Sequence, residues 1–482
     1  MSHRKLTIAG LFVAVLFGAL DAAPAQSQNI VSPAAGSTNL AGIETEATNW
    51  LQDLIRINTI NPPGNELAAA KYIASVLDKE GIHSDILESA PGRGILVARL
   101  SASAMPDPSK ALLLMGHLDV VGVDKSKWTV DPFGGIINGA YLYGRGAIDD
   151  KGMTAANLAV LVELKRTNAH LNRDVIFLAE GDEESGGAQG MKFAVENHWD
   201  KIAAGYAINE EGSVTVKDGK VQFVAVQASE KVVANLDVIA TGTSGHASIP
   251  LKDNAITHLS AAIAKISSYE APVQFDSVTR AYFETIAPIE DDETSKWMRA
   301  LDTADRGDHA ARIISDENPV WNAMMRDTIS PTMLDAGTRN NVIPAQAKAV
   351  LNIRLLPGNQ LELLIQKLTG IVNDPAIRFV VEPDSSEPAP SSSVTSGLYQ
   401  SISRVAAAEF PGAPITPYLS TGATDASFLR LRSVQAYGLL PFPLTEDDRN
   451  RIRGNDERIP LDSFHKGIDF LYNVVFDFAV EK

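Results

Sequence analysis

Four short stretches hold residues whose types and spacing could do hydrolytic chemistry. The first is Gly116-His117-Leu118-Asp119. Side chains alternate along an extended chain, so His117 and Asp119 share a face. The imidazole could take a metal through one nitrogen while the carboxylate fixes the other. The second, Gly144-Arg145-Gly146-Ala147-Ile148-Asp149-Asp150-Lys151-Gly152, centres on Asp149. A carboxylate has two oxygens, and one held by neighbouring glycines can bridge two divalent metals about 3.5–4 Å apart. An Asp before a helix can equally be a cap, but this combination is more particular than a cap requires. The third, Glu180-Gly181-Asp182-Glu183-Glu184, places four acidic residues in five positions, which costs repulsion unless a cation or solvent compensates. Adjacent glutamates suit a division of labour in which one ligates a metal and the other takes a proton from water. The fourth is Asn209-Glu210-Glu211-Gly212.

The elements that must position these groups are legible around them. Apolar runs at 111–115, 175–179 and 205–208 read as buried strands that end at the first, third and fourth stretches, and a helix over 153–165 follows the second. Upstream, Trp50, Leu51, Leu54, Ile55 and Ile57 form a helical stripe within 44–57, a second helix spans 66–80, and 95–100 is a further strand. Helices alternating with apolar strands argue for an α/β fold around a central sheet. Open sheets of this kind hold ligands at the carboxyl ends of their strands.

Taken together, these residues resemble the zinc metallopeptidase and deacylase family that includes aminoacylase, carboxypeptidase G, peptidase V, carnosinase and succinyl-diaminopimelate desuccinylase. The resemblance runs over about residues 44–475 in the same motif order. It implies a catalytic domain with a mixed central sheet, with His117, Asp149, Glu184 and Glu210 as metal ligands and Asp149 bridging. It further implies Glu183 as general base, Asp119 as the residue orienting His117, and a cis Asp149-Asp150 peptide. Family members tend to carry glycine where Glu211 stands, which favours Glu210 over its neighbour as the ligand.

From Val232 the pattern changes to an alternating strand, then a helix over 253–268, strands near 332–334 and 348–356, a helix over 360–371 and a strand over 378–381. That order makes a small α+β sandwich, and it resembles the family's inserted lid and dimerisation domain. The expected organisation is a signal peptide over 1–25, catalytic segments over 40–230 and 383–482, and the lid over 231–382. Gly245-His246-Ala247-Ser248 resembles the family motif whose histidine reaches a neighbouring subunit's active site and stabilises the oxyanion. Asn341 and Arg354 lie in segments resembling those that hold the substrate carboxylate, a task that suits a bidentate guanidinium. The stretch 271–325 exceeds a minimal lid and is similar to larger members such as carboxypeptidase S, so acyl or side-chain pocket walls are expected there.

One position departs from the family. Its members place a metal-binding histidine immediately before the glycine of the closing motif, here Gly454-Asn455-Asp456-Glu457-Arg458-Ile459-Pro460, and this chain has Arg453. A guanidinium has no lone pair for a metal. His465 is the only later histidine. Three readings remain open: one tightly bound zinc, a second weaker metal completed by water, or an Arg453 cation that replaces the second metal's charge by pairing with Glu184.

Composition narrows the rest. The chain has no cysteine, which removes disulfides and thiolate ligands and leaves His, Asp and Glu, a donor set suited to zinc, with cobalt or manganese as substitutes. Its first residues include Arg4 and Lys5, then an apolar run over 6–20 and Ala23-Pro24-Ala25, the layout of a cleavable secretory signal. Residues 1–25 carry Arg4, Lys5 and Asp21, one net positive charge, so cleavage takes the net charge of −17 to −18. Such acidity disfavours nucleic acid and anionic membranes as partners. The expectation is a periplasmic or secreted, homodimeric zinc hydrolase with one or two zinc ions. It would cleave the amide bond of peptides or N-acyl amino acids that carry a free carboxylate, as a carboxypeptidase or aminoacylase does. Its rival is a catalytically impaired peptide-binding protein on the same scaffold.

Overall fold

The strands that end at the acidic motifs lie side by side in a ten-stranded mixed sheet. The computed structural model describes residues 40–481 except 104, 302, 304 and 384, so the stretch expected to be a signal peptide lies outside the described residues. Val175–Glu180, Leu112–His117 and Tyr206–Asn209 run parallel at the centre, and His117 stands opposite Glu180 in register. Every residue of the first two strands is buried. A strand covered on both faces needs an unbroken apolar run instead of alternation. Accordingly Leu112, Leu114, Val175 and Phe177 enter one core, whereas Leu113, Met115, Ile176 and Leu178 enter a second on the opposite face.

Arg93–Leu100 pairs antiparallel with Val175–Glu180, and Ser84–Ala90 closes that edge. On the other side Gln435–Gly438 pairs parallel with Tyr206–Asn209, so the chain's carboxyl-terminal segment completes the sheet. Lys220–Glu230, Ser213–Lys217, Pro443–Thr445 and Ile415–Ser420 lie beyond it. The helix after the Asp149 turn, Lys151–Arg166, is almost wholly buried, between Ala41–Arg56 and Leu461–Ala479. Gly152 is required at its start, because a Cβ there would stand 2.4 Å from the carbonyl oxygen of Ala147. Among the described residues no helix is long and apolar enough to cross a membrane.

A separate antiparallel sheet of four strands has the order Thr328–Ala336, Gln346–Leu355, Val232–Thr241, Ile377–Val381. Burial alternates strictly along Val232–Thr241 up to its last residue, as a sheet with one covered face demands. Ala255–Ser267 and Leu361–Val372 cover that face around Leu236, Leu259, Leu351 and Leu368, and Asn254 caps the first helix by accepting from the N–H of Ile256. The α+β sandwich expected from the sequence is therefore present.

The longer stretch between these strands folds as helices Ser277–Ile286, Asp292–Ala300, Gly307–Glu317 and Pro319–Met325 around Phe283, Ile314, Trp321 and Met324. It leans on the large sheet as well as joining the small one. Ser277–Ile286 packs on Ile415–Ser420, with the Tyr282 and Tyr418 ring centroids 5.9 Å apart.

Candidate metal centre

At the carboxyl edge of the three parallel strands, His117 is buried and its ring is held at both nitrogens. Nδ1 lies 2.9 Å from the backbone carbonyl of Asp119 and 3.5 Å from its Oδ1. Nε2 lies 2.9 Å from Asp149 Oδ1 and 3.6 Å from Glu210 Oε2. Nδ1 therefore has its partners on one side, and Nε2 faces carboxylates from two other segments. Ligand atoms of His117, Asp149 and Glu184 lie within 4.8 Å of one another, as do those of His117, Glu183 and Glu210. The cluster thus gathers five of the residues singled out in the sequence.

Asp119 does more than face the imidazole. Its Oδ1 accepts from the N–H of Glu183 at 3.2 Å, and its Oδ2 from the N–H of Glu184 at 3.1 Å and from Asn61 Nδ2 at 2.9 Å. One carboxylate therefore sets both the histidine and the backbone that presents the two glutamates. Asn61 also donates to Asp182 Oδ1 at 3.0 Å, and Arg93 pairs with that same oxygen at 2.8 Å and with Glu66. Nothing in the sequence marks Asn61 except its place before Pro62-Pro63-Gly64, an ordinary turn and helix-stop signal.

The Asp149 turn is fixed by a residue quoted in the closing motif and given no role there. Glu457, wholly buried, accepts from the N–H of Ile148 at 3.0 Å and of Asp149 at 3.2 Å. Its other oxygen pairs with Arg145 Nη1 at 2.5 Å. Arg145 Nη2 continues to the carbonyls of Arg453 and Gly454 at 3.1 and 2.9 Å. The Asp149-Asp150 peptide is cis. Lys151 donates to the carbonyls of Leu54 and Ile57 at 2.9 and 2.7 Å, and burial pushes its ammonium down to about 7.

The fourth stretch resolves the neighbouring glutamates. Glu210 faces His117, whereas Glu211 accepts from Ser420 Oγ at 3.1 Å. Glu211 has φ +74, in the left-handed region that favours glycine. Burial, with Glu210 next, pushes its carboxyl up to about 7.

Electrostatically the pocket is short of positive charge. Burial and then Glu210 raise Glu183 well above the ordinary carboxylate value. Burial and then Asp149 raise Glu184 to about 7. Burial alone would push the His117 imidazole down, but Glu210, Asp119 and Asp149 carry it well above its usual value. Glu184 Oε1 and Glu210 Oε1 are buried with no hydrogen-bond partner. Unpaired buried carboxylate oxygens converging on an imidazole are the donor set a divalent cation satisfies, so His117, Asp149 and Glu210 fit such an ion.

Arg453 enters the same cluster. Its Nε donates to Asp149 Oδ2 at 2.9 Å, and Nη2 lies 2.8 Å from Glu184 Oε2 and 3.5 Å from Glu183 Oε2. His465 does not replace the missing ligand, because it sits on the last helix with Nε2 2.9 Å from Thr48 Oγ1. Of the remaining predicted residues, His246 pairs with Val342 across a two-stranded ribbon and is exposed, with Nδ1 2.7 Å from Ser248 Oγ. Asn341 accepts at its backbone carbonyl from the N–H of Ala247, 3.1 Å away. Arg354 Nε donates to Asn352 Oδ1 at 3.0 Å. Among the described residues none of these three has a hydrogen bond to the acidic cluster.

A mixed α/β sheet with a His and carboxylate cluster at its carboxyl edge, joined to a separate α+β sandwich, is the layout of a metallopeptidase-type hydrolase. The chain belongs to peptidase family M20/M25/M40, whose model matches residues 113–477. It is 29% identical over 381 residues to a probable carboxypeptidase S-like 2 of Dictyostelium discoideum, covering 76% of this chain and 71% of the relative. It is 29% identical over 383 residues to the human N-fatty-acyl-amino acid synthase/hydrolase PM20D1, covering 77% of this chain and 74% of that one. Among solved structures, an M20 family metallo-carboxypeptidase from Sulfolobus solfataricus superposes with a TM-score of 0.69 at 20% identity, over 90% of this chain and 99% of that chain.

Proposed function

We propose that this chain is a zinc-dependent hydrolase of peptides or N-acyl amino acids bearing a free carboxylate. The observation that carries the reading is the convergence of His117 Nε2 on Asp149 and Glu210, with Glu183 alongside. His117, Asp149 and Glu210 would hold the ion. Zinc bound there would supply a Lewis acid for the scissile carbonyl and would lower the pKa of water. Glu183 takes the proton of the attacking water and passes it to the leaving amine. Asp119 orients His117 and, through the N–H groups of Glu183 and Glu184, sets the base. His246 donates to the developing oxyanion, and Asn341 and Arg354 hold the substrate carboxylate. The exposure of His246 supports a role at a neighbouring copy's site, in a homodimer joined through a lid over 231–382. The catalytic segments are then 40–230 and 383–482. The basic and apolar start of the sequence supports export to the periplasm or medium.

The test is Glu183→Gln. The variant is expected to retain zinc by elemental mass spectrometry while losing nearly all turnover of an N-acyl amino acid panel; near-normal turnover removes Glu183 from the base role. A second reading, a peptide-binding protein without turnover, is favoured by the Arg453 contacts. Peptide binding by a catalytically silent, zinc-loaded wild type would support it.

A further inference from the structure

Arg453 is half exposed, yet its side-chain bonds run inward to the acids that a metal would use. Its Nε occupies Asp149 Oδ2, while Asp149 Oδ1 faces His117. Asp149 therefore bridges, but between the imidazole site and a guanidinium. The arginine is held from its backbone too: its φ is +59, and its carbonyl accepts from Arg145. Arg145 pairs in turn with Glu457, which grips the N–H of Asp149. The residues that orient Asp149 thus anchor the cation opposite it. A guanidinium stays protonated and offers no lone pair, and its charge repels a divalent ion placed on the same carboxylates. The one later histidine is engaged by Thr48.

We propose that the Arg453 guanidinium holds the place of a second metal ion, so the centre takes a single divalent cation and Glu184 serves as partner to Arg453. This rests on the reading of His117, Asp149 and Glu210 as a metal centre. A single-ion centre keeps one bridging oxygen of Asp149 for the metal and commits the other to a fixed organic cation. It therefore cannot be converted to a two-ion centre by raising the metal concentration.

The experiment counts zinc per chain by elemental mass spectrometry after equilibrium dialysis against excess zinc, for the wild type and for Arg453→His. About one zinc in the wild type and about two in the folded variant are expected. Two in the wild type overturn the proposal, and one in both proteins overturns the assignment of the second position to Arg453. None in the wild type overturns the metal-centre reading itself, which separates the two failures. If Arg453→His does not fold, cobalt titration of the wild type decides by electron paramagnetic resonance. One uncoupled ion through saturation supports the proposal, and a spin-coupled pair at the second equivalent overturns it.

Discussion

Glu457→Gln is the most informative perturbation of the scaffold, because one wholly buried carboxylate ties the Asp149 turn to the Arg145 guanidinium. Glutamine preserves size and leaves one carbonyl oxygen. If that oxygen keeps the N–H groups of Ile148 and Asp149, the new amide NH₂ points at Arg145, donor against donor. Breaking a buried ion pair costs about 3–5 kcal/mol. The lower end applies, because Arg145 keeps the carbonyls of Arg453 and Gly454 and lies over the Trp128 ring at 5.3 Å. With an unfolding entropy of about 2.1 cal/mol/K per residue, a loss of about 3 kcal/mol lowers Tm by about 3 °C in a chain of this length. Scanning calorimetry at saturating zinc reads the shift. A double-mutant cycle with Arg145→Met should give a coupling of about 2 kcal/mol or more. A Tm unchanged to within about 1 °C, or strictly additive variants, would refute the claim that this pair braces the turn.

Asp469 on the last helix is pushed up to about 7, by burial first and then by Glu44 and Glu409. Its folded pKa lies above the unfolded value near 3.9, so the folded state holds the extra proton and stability falls as pH rises from about 4 to 7. Asp469→Asn should flatten that dependence and, because solvent screens this half-exposed carboxyl and reduces the linkage to a fraction of its full value, stabilise the protein by about 1 kcal/mol at pH 8 with little effect at pH 4; equal effects in urea melts at both pH values would contradict the assignment. Gly190→Ala should be far more damaging, since its Cβ would fall 1.5 Å from the carbonyl oxygen of Gly181, in the loop carrying Glu183 and Glu184. A loss of about 3 kcal/mol or more with reduced zinc retention is expected; an unaltered melting curve would show that the loop can relax.

The central strands were readable because burial on both faces leaves only apolar residues between 111 and 115 and between 175 and 179. The sandwich was readable from the opposite signature, the alternation along Val232–Thr241. Helix ends moved by a few residues, as at Lys151–Arg166 against an expected 153–165. There Lys151 and Gly152 look like turn residues, whereas in the fold the Lys151 ammonium is bound by the carbonyls of Leu54 and Ile57 and Gly152 fits closely against the carbonyl of Ala147. The helices within 277–325 were not foreseen, because their apolar residues serve a small local core that meets the large sheet at Phe223 and Tyr418.

At the site, chemistry-bearing side chains announce themselves by type and spacing, so His117, Asp119, Asp149, Glu183, Glu184 and Glu210 were all named. Their supports were given no role. Asn61, Arg93, Asp182 and Glu457 act through hydrogen bonds to residues distant in the chain, Arg145 and Glu457 being 312 positions apart, and no local pattern records such a partner. The sequence alone determined the types of the candidate ligands, the strand ends that carry them and the presence of arginine at 453, because these depend on composition and periodicity. Tertiary structure alone decided that Glu211 turns to Ser420, that His465 lies against Thr48, and which of the open readings of Arg453 its side chain favours, by aiming it at Asp149 and Glu184. Each of those is a direction in space, fixed by how parallel strands and a returning segment are brought to one edge.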